Sequence, residues 1–212
     1  MPSGEARYSR ARLFKLVMQL RIQPLTPDLW PALVDLFGEK GACSDCWCMY
    51  WRIGAAYRKR PSELNREDFR KIVDTGPPPG LLAFHGDRAV GWCQLTLRDD
   101  LPQLDRVWRL RRIDEVPVWS ISCFYIRIGY RRRGVTSALI DAALKTARKA
   151  KAPAVEAYPL DADLTPSASG TGFASTFLRA GFKIVARHTP PRPILRFDLA
   201  KRSRKQDRPQ KA

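Results

Sequence analysis

The stretch that decides the fold reads FYIRIGYRRRGVTS and occupies residues 124–137. An apolar strand ends in it, a short loop with three arginines and a glycine follows, and a helix begins. The first backbone N–H groups of a helix lack partners inside the helix and carry a partial positive charge, which suits a phosphate. Gly134 allows close approach to the backbone, and the arginines supply forked donors. The stretch predicts a phosphate site, and the alternative is an ordinary turn with solvated arginines.

Hydrophobic periodicity on either side of this stretch predicts alternating strands and helices. Strands are predicted at residues 18–23, 81–84, 89–97, 116–128, 154–158, 182–187 and 194–199. Helices are predicted at residues 26–37, 62–74, 133–149 and 173–179. This order predicts an α/β, or α+β, fold in which a mixed sheet carries helices on its faces.

Charge is concentrated at the two ends of the chain. The net charge is +17, of which residues 1–17 contribute +3 and residues 201–212 contribute +5. We predict a flexible basic extension at residues 1–17, a folded domain at 18–200 and a disordered basic tail at 201–212. The remaining +9 favours an anionic partner, such as a nucleic acid, an acidic lipid or a phosphorylated small molecule.

Composition excludes several classes of protein. Hydrophobic residues make up 44% and charged residues 28% of the chain, so disorder of the whole chain is excluded. No apolar run approaches the roughly 18 residues of a membrane-spanning helix, so no membrane partner is expected. An odd count of five cysteines argues against a disulfide scaffold and for reduced thiols, which predicts a cytoplasmic protein.

Residues 131–136, RRRGVT, resemble the Arg/Gln-x-x-Gly-x-Gly/Ala signature of the GNAT superfamily of N-acetyltransferases. The preceding apolar strand, the Ala180-Gly181-Phe182 step and the order of elements are similar too, so the resemblance covers residues 18–199. Thr136 departs from the usual Gly or Ala. Four further strings resemble a bacterial subgroup of that superfamily, from which no substrate transfers: residues 46–51, 91–93, 118–124 and 156–159.

The resemblance implies a mostly antiparallel mixed sheet with helices on both faces. It also implies transfer of an acetyl group from acetyl-coenzyme A to a primary amine of a small-molecule or peptide acceptor. A backbone N–H within residues 124–126 would bind the acyl carbonyl, and Ile126 and Ile128 would flank the pantetheine arm. The implied cofactor-binding residues are Phe124, Tyr125, Ile126, Arg131, Arg132, Arg133, Gly134, Val135, Thr136 and Ser137.

The resemblance leaves the general acid unassigned. In the family this acid is commonly a tyrosine four residues before the Gly-Phe step, which here is Phe177. Tyr125 and Tyr158 are alternative acids, or else core aromatic residues. Glu156 is the best candidate for the general base because its neighbours are apolar. The alternative for Glu156 is a place on the solvent face or an ion pair with an arginine.

The segment CSDCWC at residues 43–48 has three cysteines in C-x-x-C-x-C spacing. With Cys93 these thiols offer four ligands to zinc, but a second C-x-x-C is missing, and no metal is expected. The resemblance places this region in the acceptor pocket, where aromatic residues suit a hydrophobic or cationic acceptor. The predicted pocket residues are Cys46, Trp47, Cys48, Tyr50 and Trp51, and a core plug is the alternative.

Two competing functions stay open. Phe177 allows a non-catalytic protein that binds acyl-coenzyme A and has lost its acid. The charge, with Arg106, Arg109, Arg111 and Arg112, allows a nucleic-acid-binding protein, although these arginines alternate with apolar residues and no such fingerprint is visible. The sequence does not distinguish a monomer from a homodimer.

Overall fold

The computed structural model describes residues 18–161 and 170–199, so the predicted extension at 1–17 and tail at 201–212 lie outside the described residues. The strands are β1 (Arg21–Pro24), β2 (Gly80–His85), β3 (Arg88–Leu97), β4 (Trp119–Ile126), β5 (Ala154–Ala157), β6 (Lys183–Ala186) and β7 (Ile194–Asp198). The helices are α1 (Trp30–Phe37), α2 (Tyr50–Ile53), α3 (Ser62–Thr75), α4 (Gln103–Arg106), α5 (Val135–Lys149) and α6 (Ala174–Arg179).

The strands form one sheet in the order β1-β2-β3-β4-β5-β7-β6. Only β4 and β5 are parallel among the described strand pairs, and the other neighbours are antiparallel. Helix α5 packs on one face, and α1 and α3 pack on the other. The predicted fold class, a mixed and mostly antiparallel sheet with helices on both faces, is therefore confirmed.

The element bounds differ from the sequence predictions at particular residues. β4 begins at Trp119 rather than at residue 116, because Val118 pairs its carbonyl with the Arg98 N–H beyond the end of β3. Helix α5 begins at Val135 because Gly134, with φ of 85°, is left-handed and ends the loop. The short helices α2 and α4, four residues each, were not predicted because one helical turn is too short for a periodic pattern.

Three hydrophobic clusters stabilise the sheet. The first lies under α5 and α6, and Gly91 lets α5 approach closely, since a Cβ there would lie 2.7 Å from Val135 Cγ1. The second lies under α1 and α3, with Trp30, Trp47 and Trp92 at its centre. The third lies between the sheet and the segment 98–118, with Tyr158 among its members. No helix in the two described ranges has the length and apolar character to cross a membrane.

Strands β4 and β5 separate, and this separation positions the site. They pair only from Trp119–Val155 to Ile121–Ala157. A register shift at Gln94 and Leu95 leaves Ser122 as an extra residue on β4, which bends the strand. The segment 170–174 then lies in the opening. The Phe124 N–H donates to the Gly170 carbonyl at 2.6 Å, and the Leu160 N–H donates to the Gly172 carbonyl at 2.9 Å.

Candidate active site

The loop between β4 and α5 exposes the start of a long helix. Gly129, Arg132 and Gly134 have φ of 90°, 60° and 85°, so the chain turns sharply before Val135. No side chain caps α5, and the N–H groups of Val135, Thr136 and Ser137 make no hydrogen bond within the described parts of the chain. Three such donors at the positive end of a 15-residue helix are an arrangement that favours an anion.

Gly134 is open on the side from which a ligand approaches. A Cβ at Gly134 would meet no atom within 4 Å, so a side chain there would fill the space above the helix start. Arg131, Arg132 and Arg133 are exposed around it. Arg131 Nε donates to the Ile126 carbonyl at 3.2 Å, and the Arg133 guanidinium lies 5.9 Å from the Tyr130 ring centroid. Thr136 is half-buried.

The predicted carbonyl donors lie on the free edge of β4. The Arg127 N–H donates to Val90 on β3 at 2.9 Å, so alternate N–H groups, those of Phe124 and Ile126, face the opening toward β5. Gly170 accepts the Phe124 N–H, whereas the Ile126 N–H has no partner among the described residues. Ile126 is half-buried and Ile128 is 78% exposed, at the mouth of this opening.

Phe177 belongs to the first hydrophobic cluster. Its side chain is fully buried, and its ring lies 5.1 Å from the Phe182 ring and 6.0 Å from the Phe124 ring. A Cβ at Gly172 would lie 3.0 Å from Phe177 Cε2, so the segment 170–174 packs directly on this ring. The position where the family commonly has its acid is therefore part of the apolar core here.

Glu156 lies in a buried ion-pair network. Its side chain is 3% exposed, which excludes the solvent face and agrees with the alternative of an ion pair with arginine. Arg196 donates to its Oε1 at 2.6 and 3.0 Å. Arg98 approaches its Oε2 at 3.4 Å, and the Tyr158 hydroxyl donates to the same oxygen at 2.9 Å. This geometry supports a structural role for Glu156 rather than that of a general base.

The network anchors both ends of the segment 98–118 to the sheet. Arg98 binds Asp105 at 2.6 Å and the Leu110 carbonyl at 2.8 Å, while Arg196 binds Asp114 at 2.6 Å. Burial opposes the charge of Arg98, but its anionic and hydroxyl partners outweigh burial and raise its pKa. The hydrogen bond from Arg196 lowers the pKa of Asp114, and Arg98 lowers that of Asp105 against the effect of burial.

The two tyrosine candidates for the acid lie in different surroundings. Burial raises the pKa of Tyr158, whose hydroxyl contacts Arg98 at 2.6 Å and Ser120 at 3.0 Å in the core. Tyr125 is half-buried, and its ring meets Phe37 edge-on at 5.7 Å. No described residue hydrogen-bonds the Tyr125 hydroxyl. Tyr125 is therefore the predicted acid whose hydroxyl is free to act.

The predicted acceptor-pocket residues divide into two groups. Trp47 and Cys48 are 0% and 5% exposed, and Trp47 lies 5.9 Å from Trp30 between ring centroids, so both residues form the core plug. Cys46, Tyr50 and Trp51 are half-buried. Trp51 Nε1 donates to the Ser122 carbonyl on the central strand β4 at 3.0 Å, which places Trp51 beside the opening between β4 and β5.

The cysteines do not come together as four ligands. Cys93 belongs to the cluster under α5, whereas Cys48 belongs to the cluster on the opposite face of the sheet. Within residues 18–161 and 170–199, no group of three or more His, Cys, Asp or Glu side chains is arranged to hold a metal ion.

A model of the acetyltransferase (GNAT) family matches residues 45–179, which include the β4 opening, the loop and α5. The chain belongs to the GNAT family of acetyltransferases. It is therefore a transferase of a family that uses acetyl-coenzyme A, as the signature at residues 131–136 predicted. No curated protein matches the chain.

Solved structures share the fold at low sequence identity. The GNAT domain of S. lividans PAT is 19% identical, with a TM-score of 0.53, over 84% of this chain and 90% of that one. The loading GNATL domain of CurA from Lyngbya majuscula is 14% identical, with a TM-score of 0.51, over 85% and 98%. PaiA N-acetyltransferase from Thermoplasma acidophilum, in complex with coenzyme A, is 13% identical, with a TM-score of 0.45, over 85% and 99%.

Sequence reasoning missed two parts of the site. The segment 170–174 fills the opening between the strands, and its only signal in the sequence is the pair of glycines at 170 and 172. Arg98 and Arg196, the partners of Glu156, gave no signal, because a single arginine within a strand or next to one usually lies in solvent.

Proposed function

We propose that this chain transfers the acetyl group of acetyl-coenzyme A to the primary amine of an acceptor. The observation that carries the proposal is the start of α5, where three N–H groups that have no partner within the described ranges follow the left-handed Gly134. Pyrophosphate fits such a cradle, because backbone donors and the helix dipole both favour an anion. The predicted role in binding coenzyme A also stays our proposal for the other cofactor-binding residues on β4 and in the loop.

Acetyl-coenzyme A supplies an activated thioester, and the chain must hold its carbonyl next to the amine. The Ile126 N–H has no hydrogen-bond partner in the part of the chain that the structure describes, whereas the Phe124 N–H donates to Gly170 and would have to leave it to reach the carbonyl. Both donors would stabilise the negative charge that develops on the carbonyl oxygen. Holding the two reactants together is worth about 7–11 kcal/mol of the barrier, so positioning supplies most of the rate.

Proton transfer makes smaller demands on the chain. A free alkyl amine has a pKa of about 10.4 and must lose a proton before it attacks, whereas a thiolate of pKa about 8.5 leaves readily at neutral pH. We assign Tyr125 as the residue that protonates the leaving thiolate, because its hydroxyl makes no hydrogen bond with any residue that the structure describes. General acid–base help is typically worth about 10²–10⁴-fold, so Phe177 slows the reaction without ending it.

On the acceptor side, Arg192 makes no ion pair with the residues that the structure describes. Arg192 is half-buried and donates to Thr171 Oγ1 at 2.8 Å beside the segment 170–174. Burial lowers the pKa of Arg192, and the like charge of Arg109 lowers it further. An acceptor amine that also carries a carboxylate, such as an amino acid or a peptide, fits the surroundings of Arg192 better than a purely cationic amine.

The test is release of coenzyme A thiol in the presence of paired acceptors. Each amino acid or peptide is compared with its carboxyl amide at the same concentration. We expect acceptor-dependent release, faster with the free carboxylate. Tight binding of coenzyme A with no release for any amine would instead establish the non-catalytic binder.

The remaining predictions keep their own support. Five unpaired cysteines fit a reducing compartment and hence the cytoplasm.

Arg106, Arg109 and Arg111 are exposed, but Arg112 pairs with Asp99 at 2.5 Å, which leaves a weaker surface for nucleic acid. Salt-sensitive binding to duplex DNA would revive that function. The homodimer, the domain limits 18–200 and the bacterial subgroup stay predictions.

A further inference from the structure

The segment 170–174 bridges the two strands that separate. On one side, the Gly170 carbonyl accepts the Phe124 N–H of β4 at 2.6 Å. On the other side, the segment makes two backbone hydrogen bonds, of 2.9 and 2.8 Å, with Leu160 just beyond β5. The segment therefore pairs with both walls of the opening, as a short strand would.

The two ends of this segment are held unequally. Ala174 is buried and begins α6, whereas Gly170 is exposed and a Cβ there would meet no atom within 4 Å. Between them, Thr171 Oγ1 accepts a hydrogen bond from Arg192 at 2.8 Å. Gly172, with φ of 78°, has the left-handed conformation that a glycine adopts without strain. The end at Gly170 is therefore the one that is free to leave β4 while Ala174 stays in α6.

We infer that residues 170–172 form an autoinhibitory contact, which competes with the pantetheine arm and acyl carbonyl of acetyl-coenzyme A for the edge of β4. On the proposed function, on which this inference rests, the acyl carbonyl lies at this edge. An N–H group carries one hydrogen, so the Phe124 N–H binds either the Gly170 carbonyl or the acyl carbonyl. The arm therefore binds only when Gly170 has left β4, and the apparent affinity is reduced by the fraction of the protein in that form.

The contact should oppose the arm of the cofactor and not its nucleotide. The pyrophosphate would lie at the start of α5, and no hydrogen bond between described residues joins the segment 170–174 to that helix start. A nucleotide without the arm, 3′-phospho-ADP, should therefore bind whether or not Gly170 contacts β4. Releasing Gly170 should raise the affinity for coenzyme A and leave the affinity for 3′-phospho-ADP unchanged.

The test is calorimetric titration of the full chain and its variants with coenzyme A and with 3′-phospho-ADP. Gly172→Ala strains the contact, because an alanine is unfavourable at φ of 78° and its Cβ would lie 3.0 Å from Phe177 Cε2. We expect the affinity for coenzyme A to rise at least about fivefold. The matched control is Gly181→Ala, beyond the other end of α6, where φ is 92° and the Cβ would lie 3.2 Å from Phe197 Cε2. It should leave both affinities unchanged.

A milder variant keeps the test decisive where Gly172→Ala fails to fold. Thr171→Val removes the hydroxyl that Arg192 binds, so we expect a gain of about two- to fivefold for coenzyme A. Its control is Thr176→Val, which removes a hydroxyl that Arg179 contacts at 3.4 Å on α6 and should change neither affinity.

The outcomes separate this inference from the proposed function. An affinity for coenzyme A that rises in neither variant, or that rises equally for 3′-phospho-ADP, would overturn the inference and leave the coenzyme A site in place. An unaltered chain that binds neither ligand would overturn the proposed function, and the inference with it.

Discussion

The loop at residues 131–137 and the network around Glu156 use charge in opposite ways. In the loop, three arginines are exposed, and three backbone N–H groups have no partner among the described residues. In the network, Arg98 and Arg196 are shared among Glu156, Asp105 and Asp114. Donors left unpaired are available to a ligand, whereas a charge that is buried in the folded state is costly unless it is paired. The first arrangement therefore marks the binding site and the second the scaffold.

The largest expected effect comes from breaking the network with Glu156→Gln. The change removes the buried carboxylate that Arg98 and Arg196 share and leaves them only the partly exposed Asp105 and Asp114. We therefore expect a loss of about 3 kcal/mol in the free energy of unfolding. Coenzyme A affinity of the folded protein should stay within twofold. Urea unfolding and calorimetry measure the two quantities.

The control for Glu156→Gln is Asp74→Asn. Asp74 pairs with Arg70 at 2.7 Å on the surface of α3, where the loss should stay below about 1 kcal/mol. An unchanged stability of Glu156→Gln, together with turnover that falls mainly at low pH, would return Glu156 to the role of general base.

The loop is tested by Gly134→Val. A branched side chain at φ of 85° strains the backbone and projects into the space in which the pyrophosphate would lie. We expect coenzyme A affinity to fall at least tenfold, which corresponds to about 1.4 kcal/mol of binding free energy. Gly86→Val is the matched control, since Gly86 has φ of 59° and equally open space but lies in the β2–β3 turn. Wild-type affinity in Gly134→Val would disprove the placement.

Acid should weaken the network and not the loop. The pKa values of Asp105 and Asp114 are lowered in the folded state, so their contribution is complete above the unfolded value of about 3.9 and is lost as the pH falls below it. We expect the urea midpoint to fall as the pH drops below about 4, and to fall less in Asp114→Asn. Equal slopes in the two proteins would contradict this source of stability.

The smallest effect is expected for Arg132→Ala. Arg132 makes no hydrogen bond or ion pair with the described residues, and the backbone N–H groups of α5 provide most of the anion contact. We expect a two- to fivefold loss of coenzyme A affinity that shrinks in high salt, because exposed charges are screened. Arg111→Ala, an exposed arginine outside the loop, should leave affinity unchanged. A loss as large as that of Gly134→Val would show that the side chain dominates.

The sequence by itself determined the loop, the helix that follows it and the order of the strands along the chain. Each depends on residues close together in the chain: Gly134 adjoins Val135, and the apolar face of α5 repeats every three or four residues. Local periodicity and turn chemistry therefore predicted the fold, and the signature within it predicted the family.

Only the tertiary structure decided what the remaining site residues do. Glu156 meets Arg98 across 58 positions and Arg196 across 40, and Phe124 meets Gly170. Trp47 and Trp51 lie four positions apart, yet Trp47 is buried in the core and Trp51 is half-buried and bonds to Ser122 on β4. Burial and pairing arise from packing between distant segments, so a local pattern gives the chemistry of a side chain but not the partner that fixes its role.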